Sequence, residues 1–180
     1  MKRNVLVFGL IAGLIVSAWC VCSVAWCYTT GNFNGSMLLG YASMILAFSL
    51  VFAGIKNYRD KFNNGVISFG KAFKIGLLIT LVASTVYVVV WLIDYYVFIP
   101  DFMDKYSAHV IKDAQNSGAT AAEISSKTKE ITAMKEMYNT PVWVVLLTYL
   151  EIFPVGLLVT IIAALILKRK DNSGTIIAAA

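Results

Sequence analysis

Charge is scarce in this sequence. Charged side chains make up 14% of its 180 residues against 59% hydrophobic ones, and the mean hydropathy is +0.75. Soluble domains carry about 25% charged residues, so the shortage excludes an ordinary water-soluble domain and points to a membrane protein. Histidine occurs once, at His109. That excludes the two-histidine H-E-x-x-H signature, and neither a G-x-S-x-G elbow with a histidine partner nor a Walker-type loop is present. No enzyme is expected, and no cofactor or metal motif stands in the chain. Cysteine occurs three times, at Cys20, Cys22 and Cys27. The odd number and the spacing fit neither a disulfide framework nor a zinc site. Small apolar packing in the first apolar run remains, with Cys27 alone exposed enough to oxidise.

What is abundant is apolar length. Four runs, at about 5–28, 37–55, 75–99 and 142–167, reach the roughly 20 residues that cross a bilayer. The first opens on Met-Lys-Arg-Asn, as a cleaved signal would. Its apolar core exceeds the about 7–15 residues of a signal and no small-x-small site follows, so it reads as a retained span. Basic residues then set the orientation. Ten of them (Lys2, Arg3, Lys56, Arg59, Lys61, Lys71, Lys74, Lys168, Arg169 and Lys170) fall on one side, and five lysines offset by six acids fall on the other. The positive-inside rule places both termini in the cytoplasm and residues 100–141 outside. The net charge of +5 is thereby topological. No soluble basic face is left for nucleic acid, and the lipid bilayer is the expected partner.

Small residues recur at helical spacing as Gly9/Gly13/Ser17, Gly76/Thr80/Ser84 and Gly156/Thr160/Ala164. Such ladders let helices approach closely, and they read as packing faces toward this chain or another. Trp19, Trp26, Tyr28, Trp91, Tyr95, Tyr96, Trp143 and Tyr149 sit near one end of the runs, as an interfacial aromatic belt does. In the link "KNYRDKFNNGVISFGKAFK", Asn63-Asn64-Gly65 signals a turn. Ile67, Phe69, Ala72 and Phe73 then alternate with Lys71 and Lys74, predicting a helix start lying at the interface. Arg59, Lys71 and Lys74 are candidate headgroup contacts. The long outer connection predicts a helical hairpin over 101–139. Its first helix carries Phe102, Tyr106, Val110 and Ile111 on one side, and Asn116-Ser117-Gly118 breaks it. Thr120 and Glu123 match a capping box. Ile124, Ile131, Met134 and Tyr138 form the stripe of the second helix, and His109 reads as a solvated surface residue.

Only two ionisable residues fall inside the runs, Asp94 in "WLIDYYVFIP" and Glu151 in "TYLEIFPVG", and no lysine or arginine accompanies them. Intramembrane acids face the bundle interior and often mark function. At 1.5 Å per residue, Asp94 lies about 9 Å and Glu151 about 15 Å from the outer ends of their runs. In antiparallel spans the two could share one depth. Pro154 removes the amide that would bond the carbonyl of Leu150. That carbonyl with Glu151, Thr148 and Tyr149 would make an oxygen-rich pocket for a proton or hard cation. The alternative is a protonated, hydrogen-bonded structural acid.

The segment "FAGIKNYRDKFNNGVISFGKAFKIGLLIT" at 52–80, with "FIPDF" at 98–102 and the 156–170 end of the fourth run, resembles a bacterial membrane family known only as a domain of unknown function. The resemblance covers most of 1–170 and implies four spans, a long third loop and residence in the bacterial inner membrane. It carries over no catalytic or ligand residue. The expected fold is an all-α membrane protein of four transmembrane helices, with an extracytoplasmic helical hairpin between helices three and four. The expected unit is one domain over 1–170, followed by a flexible tail over 171–180. Two functions are weighed, the first as the expected one and the second as its alternative, because four spans are few for a transporter and no inverted repeat is seen. One is an accessory or scaffold subunit docking on a membrane partner, within a homo-oligomer or larger complex, through the small-residue seams and the hairpin. The other is a small homodimeric transporter or ion-responsive protein using Glu151 and Asp94.

Overall fold

The structure is a computed structural model that describes residues 1–33 and 37–169. The expected tail over 171–180 falls outside the described residues. Six helices follow in order: α1 (Lys2–Thr30), α2 (Met37–Phe62), α3 (Phe69–Ile93), α4 (Phe102–Asn116), α5 (Ala121–Tyr138) and α6 (Pro141–Leu167). A π-helical turn, Asp94–Phe98, extends α3. Among the described residues four segments are long and apolar enough to cross a membrane: Lys2–Thr30, Leu38–Phe62, Phe69–Phe98 and Pro141–Leu167. Half of the α3 window is buried against a third in the other three, which makes α3 the centre of the bundle. It packs against α1 on one side and α6 on the other, while α2 closes against all three.

Small residues make those approaches possible. A Cβ on Gly9 would fall 2.7 Å from Val82 Cβ, and one on Gly13 would fall 2.7 Å from Val86 Cβ. Between α3 and α6 the fit is reciprocal, with Gly76 facing Thr160 and Gly156 facing Thr80. The hydroxyls of Thr80 and Thr160 lie 3.0 Å apart, and Thr80 also donates to the Gly156 carbonyl at 3.3 Å. Most buried hydroxyls find a partner, and this pair locks the helix register as it does so. Ser17 and Ser84 continue the two ladders, buried.

One end of the bundle is tied by polar bonds. Asn4, buried, donates to the Gly54 carbonyl at 2.9 Å and accepts from Asn57 at 2.6 Å, joining α1 to α2. Asn64 (φ 52) and Gly65 (φ 76) turn the chain after α2, as their sequence predicts. Ile67 then pairs with Arg169 in an antiparallel bridge, with N–H···O distances of 3.0 and 2.8 Å. Arg59 reaches the Leu167 carbonyl at 3.4 Å. These bonds corrected one expectation. Ile67 and Ala72 are core residues, 2% and 0% exposed, rather than interfacial ones. The link folds back under α6, and Ser68 caps α3 early by accepting from the Lys71 amide.

At the opposite end α4 and α5 run antiparallel, with Lys135 near the end of α5 paired to Asp104 near the start of α4. Gly118 (φ 73) lies between them. Thr120 and Glu123 form the predicted capping box. Ring contacts fasten this pair to the bundle: Trp91 on Phe102 (centroids 5.4 Å apart) and Tyr95 on Tyr138 (5.5 Å), while Phe33, itself against Tyr28, meets Phe102 at 6.2 Å. Tyr28, Trp91 and Tyr95 therefore seal the joint between bundle and hairpin, whereas Trp26, Tyr96 and Trp143 are exposed as a belt requires. His109 is half-buried rather than solvated, 5.8 Å from the Phe33 ring and 3.3 Å from the Asp113 carboxylate. On α5, Ile131 and Tyr138 are covered while Met134 stays exposed, because it falls off the heptad line.

Candidate functional site

Glu151 sits ten residues into α6, about 15 Å from the helix start. Thr140 and Pro141 begin that helix and Pro154 lies inside it. Its side chain, exposed, lines an open pocket of about 330 Å³ to which all four long helices contribute. The pocket walls are mostly α1 (Val16, Trp19, Cys20, Ser23 and Val24) and α2 (Gly40, Ser43 and Met44), with Tyr87 alone from α3 and Glu151 alone from α6. Cys20 lies ten residues before the end of α1, so it stands at the same level as Glu151. The Tyr87 hydroxyl donates to Cys20 Sγ at 3.6 Å, and Ser43 donates to the Gly40 carbonyl at 2.7 Å. Glu151 remains exposed to the cavity, and among the described residues its carboxylate has no hydrogen bond or ion pair.

The other predicted site residues lie elsewhere. Thr148 is buried and turns its hydroxyl to the Val144 carbonyl at 2.7 Å. The Tyr149 hydroxyl meets that of Thr85 at 2.8 Å. Thr148 lies one turn from Glu151 on the same side of the helix and Tyr149 on another, but both hydroxyls bond elsewhere, so neither is turned to the Glu151 carboxylate. Asp94 lines a second cavity, of about 610 Å³, between α1 and the end of α3, with Val21, Tyr28, Val90 and Phe98 among its walls. It opens the π turn, in which the Ile99 amide bonds back to the Asp94 carbonyl at 2.9 Å. Pro100 cannot donate to continue the α-helix, which accounts for the widened last turn. Asp94 is 9% exposed, and its Oδ2 has no partner among the described residues. The two acids occupy separate cavities, with Val24 as a shared wall residue.

At the hairpin end, Asp101 accepts from Tyr28 at 2.8 Å and pairs with Lys105 at 2.8 Å, and the Lys105 ammonium stands 4.1 Å over the Tyr28 ring. The Lys105 and Tyr28 hydrogen bonds hold the Asp101 carboxyl below the usual carboxylate range. Burial pushes the Tyr138 phenol up to about 12, and the charge of Glu151 acts in the same direction.

The eight small packing residues, Gly9, Gly13, Ser17, Gly76, Thr80, Ser84, Gly156 and Thr160, are all buried inside this chain. Among the headgroup candidates, Arg59 pairs with Asp60 at 2.7 Å, and Lys71 donates to Asn63 at 2.7 Å while standing 5.3 Å over the Tyr58 ring. Lys74 is exposed. Cys22, not Cys27, is the exposed cysteine. No linear spacing links Cys20, Ser43 and Tyr87 to Glu151. The available signal was Tyr87, a phenol alone in the apolar stretch "VASTVYVVV".

Four long apolar helices, with an open pocket bearing one carboxylate between them, define a multi-pass helical membrane protein. The chain belongs to the family described as Protein of unknown function (DUF4199), whose model matches residues 7–169. No curated protein and no solved structure matches it.

Proposed function

We propose that this protein resides in the bacterial inner membrane and that Glu151 takes up a proton or a cation within the four-helix cavity. The observation that carries the reading is a single carboxylate with no counter-charge, facing 330 Å³ of space at a depth of about 15 Å. An ionised carboxylate at that depth costs a few kcal/mol, a cost relieved by protonation or by a bound cation. The role is one of binding, without catalysis. Both termini and the α2–α3 link face the cytoplasm, where the basic residues concentrate, and α4–α5 lies outside. Four spans are few for a transporter and the sequence has no inverted repeat, so transport would require two copies.

Docking on a membrane partner is the second reading. Met134 and Met137 on α5, 44% and 42% exposed, favour it. The small-residue seams do not, because they are filled within the chain.

Thermal melting in mild detergent tests the first reading. It would compare wild type with Glu151→Gln across pH and in sodium, potassium and magnesium. The wild-type melting temperature should shift with pH or with one ion, and the variant should lose that response. Equal responses would make Glu151 structural and remove the proposal.

A further inference from the structure

We propose that the Glu151 cavity receives a small organic cation with an apolar or aromatic body, its charge against Glu151 and its body against Trp19 and Tyr87. This rests on the binding role assigned above to Glu151. A hard metal ion is poorly served here. Ca²⁺ takes about six to eight oxygens and Mg²⁺ an octahedral set. Thr148 and Tyr149 spend their hydroxyls elsewhere, and no group of three His, Cys, Asp or Glu residues assembles among the described residues.

The cavity walls suit a different guest. Valines and Met44 give an apolar lining, Trp19 and Tyr87 give aromatic surfaces, and Ser23 and Ser43 are the small polar groups beside the one carboxylate. An apolar cavity of about 300–1,000 Å³ with a few polar groups is the usual form of a small-molecule site, and this one lies at the small end of that range. Quaternary and alkyl ammonium groups are attracted to aromatic faces, most strongly where water is excluded. Trp19 is 46% exposed while also lining the cavity, so an amphipathic molecule dissolved in the bilayer meets an aromatic surface at the entrance.

A proton competes for the same carboxylate. The other titratable groups facing Glu151 are Cys20 from α1, Tyr87 from α3 and Tyr138 from α5, while α2 presents Ser43 and Met44. None of these supplies a positive charge, so the guest has no competitor from the chain itself.

Calorimetric titration of the purified full chain in detergent tests this, with benzyltrimethylammonium as probe and neopentylbenzene as its uncharged isostere. Wild type should bind the cation saturably, more weakly at pH 5 than at pH 8. Glu151→Gln should weaken it roughly tenfold or more, about 1.4 kcal/mol. Trp19→Ala, at an exposed position, should weaken it too, which keeps the test open if the glutamate variant fails to fold. The isostere should bind less tightly, and equally to wild type and Glu151→Gln. No saturable binding to wild type, equal affinity for cation and isostere, or equal binding to wild type and Glu151→Gln would overturn the proposal. If the pH response in melting depends on Glu151 but the cation does not bind, the proton site stands and the ligand class falls. If neither is seen, both fall.

Discussion

A methyl group on Gly156 would lie 2.5 Å from Thr80 Cγ2 and 2.7 Å from the ring of Phe48. Thr80 cannot swing aside freely, since its hydroxyl is shared with Thr160 and the Gly156 carbonyl. Gly156→Ala therefore overpacks the α3–α6 seam, at a cost of about 1–3 kcal/mol. Its melting temperature should fall by roughly 2–4 °C for each kcal/mol lost. Gly70→Ala is the control, because nothing lies within 4 Å of a Cβ there. It should stay within about 0.5 kcal/mol of wild type. Similar melting for the two variants would refute the seam. The glycine ladders were legible as packing faces, but spacing alone does not say which helix fills them. That α3 of the same chain fills the α1 ladder, and that α3 and α6 fill one another's, emerges only from the fold.

Local chemistry governs the elements. The α5 cap was readable because four consecutive residues contain both halves of it, as was the break at Gly118. The π turn was not, because its i to i+5 bond depends on how α3 meets the hairpin as well as on Pro100. The cap also titrates. Glu123 accepts from the Thr120 amide at 2.7 Å, and that bond, followed by the Thr120 hydroxyl, holds its carboxyl below the ordinary value of 4.5. A folded value below the unfolded one means the contribution is complete above pH 4.5 and is lost as pH falls through the folded value. Hydrogen exchange of the 121–123 amides, corrected for intrinsic rates, should show the first turn of α5 opening more often in that acidic window. Thr120→Ala should speed the same exchange several-fold at neutral pH and flatten its acid dependence. Unchanged protection in Thr120→Ala would show that contacts with α4 hold the turn instead.

For the whole molecule, the charge asymmetry predicts sidedness. With the three native cysteines replaced, a reporter cysteine at exposed Ser126 on α5 should react with a membrane-impermeant maleimide added outside intact cells. One at Lys61 should react only after lysis, and the reverse pattern would invert the topology. The four spans were legible because each is a continuous stretch of sequence. The candidate site was legible in one residue only. Glu151 stands out as a lone acid, but Cys20, Ser43 and Tyr87 come from three other helices, and no linear spacing relates them. The bridge between Ile67 and Arg169 also bears on how the protein is made. Ile67 leaves the ribosome long before its partner, so the α2–α3 link waits unlatched while α3 through α6 are synthesised. Glu151 then enters the bilayer only when α1, α2 and α3 are already there to receive it, and synthesis past residue 169 latches the bundle behind it.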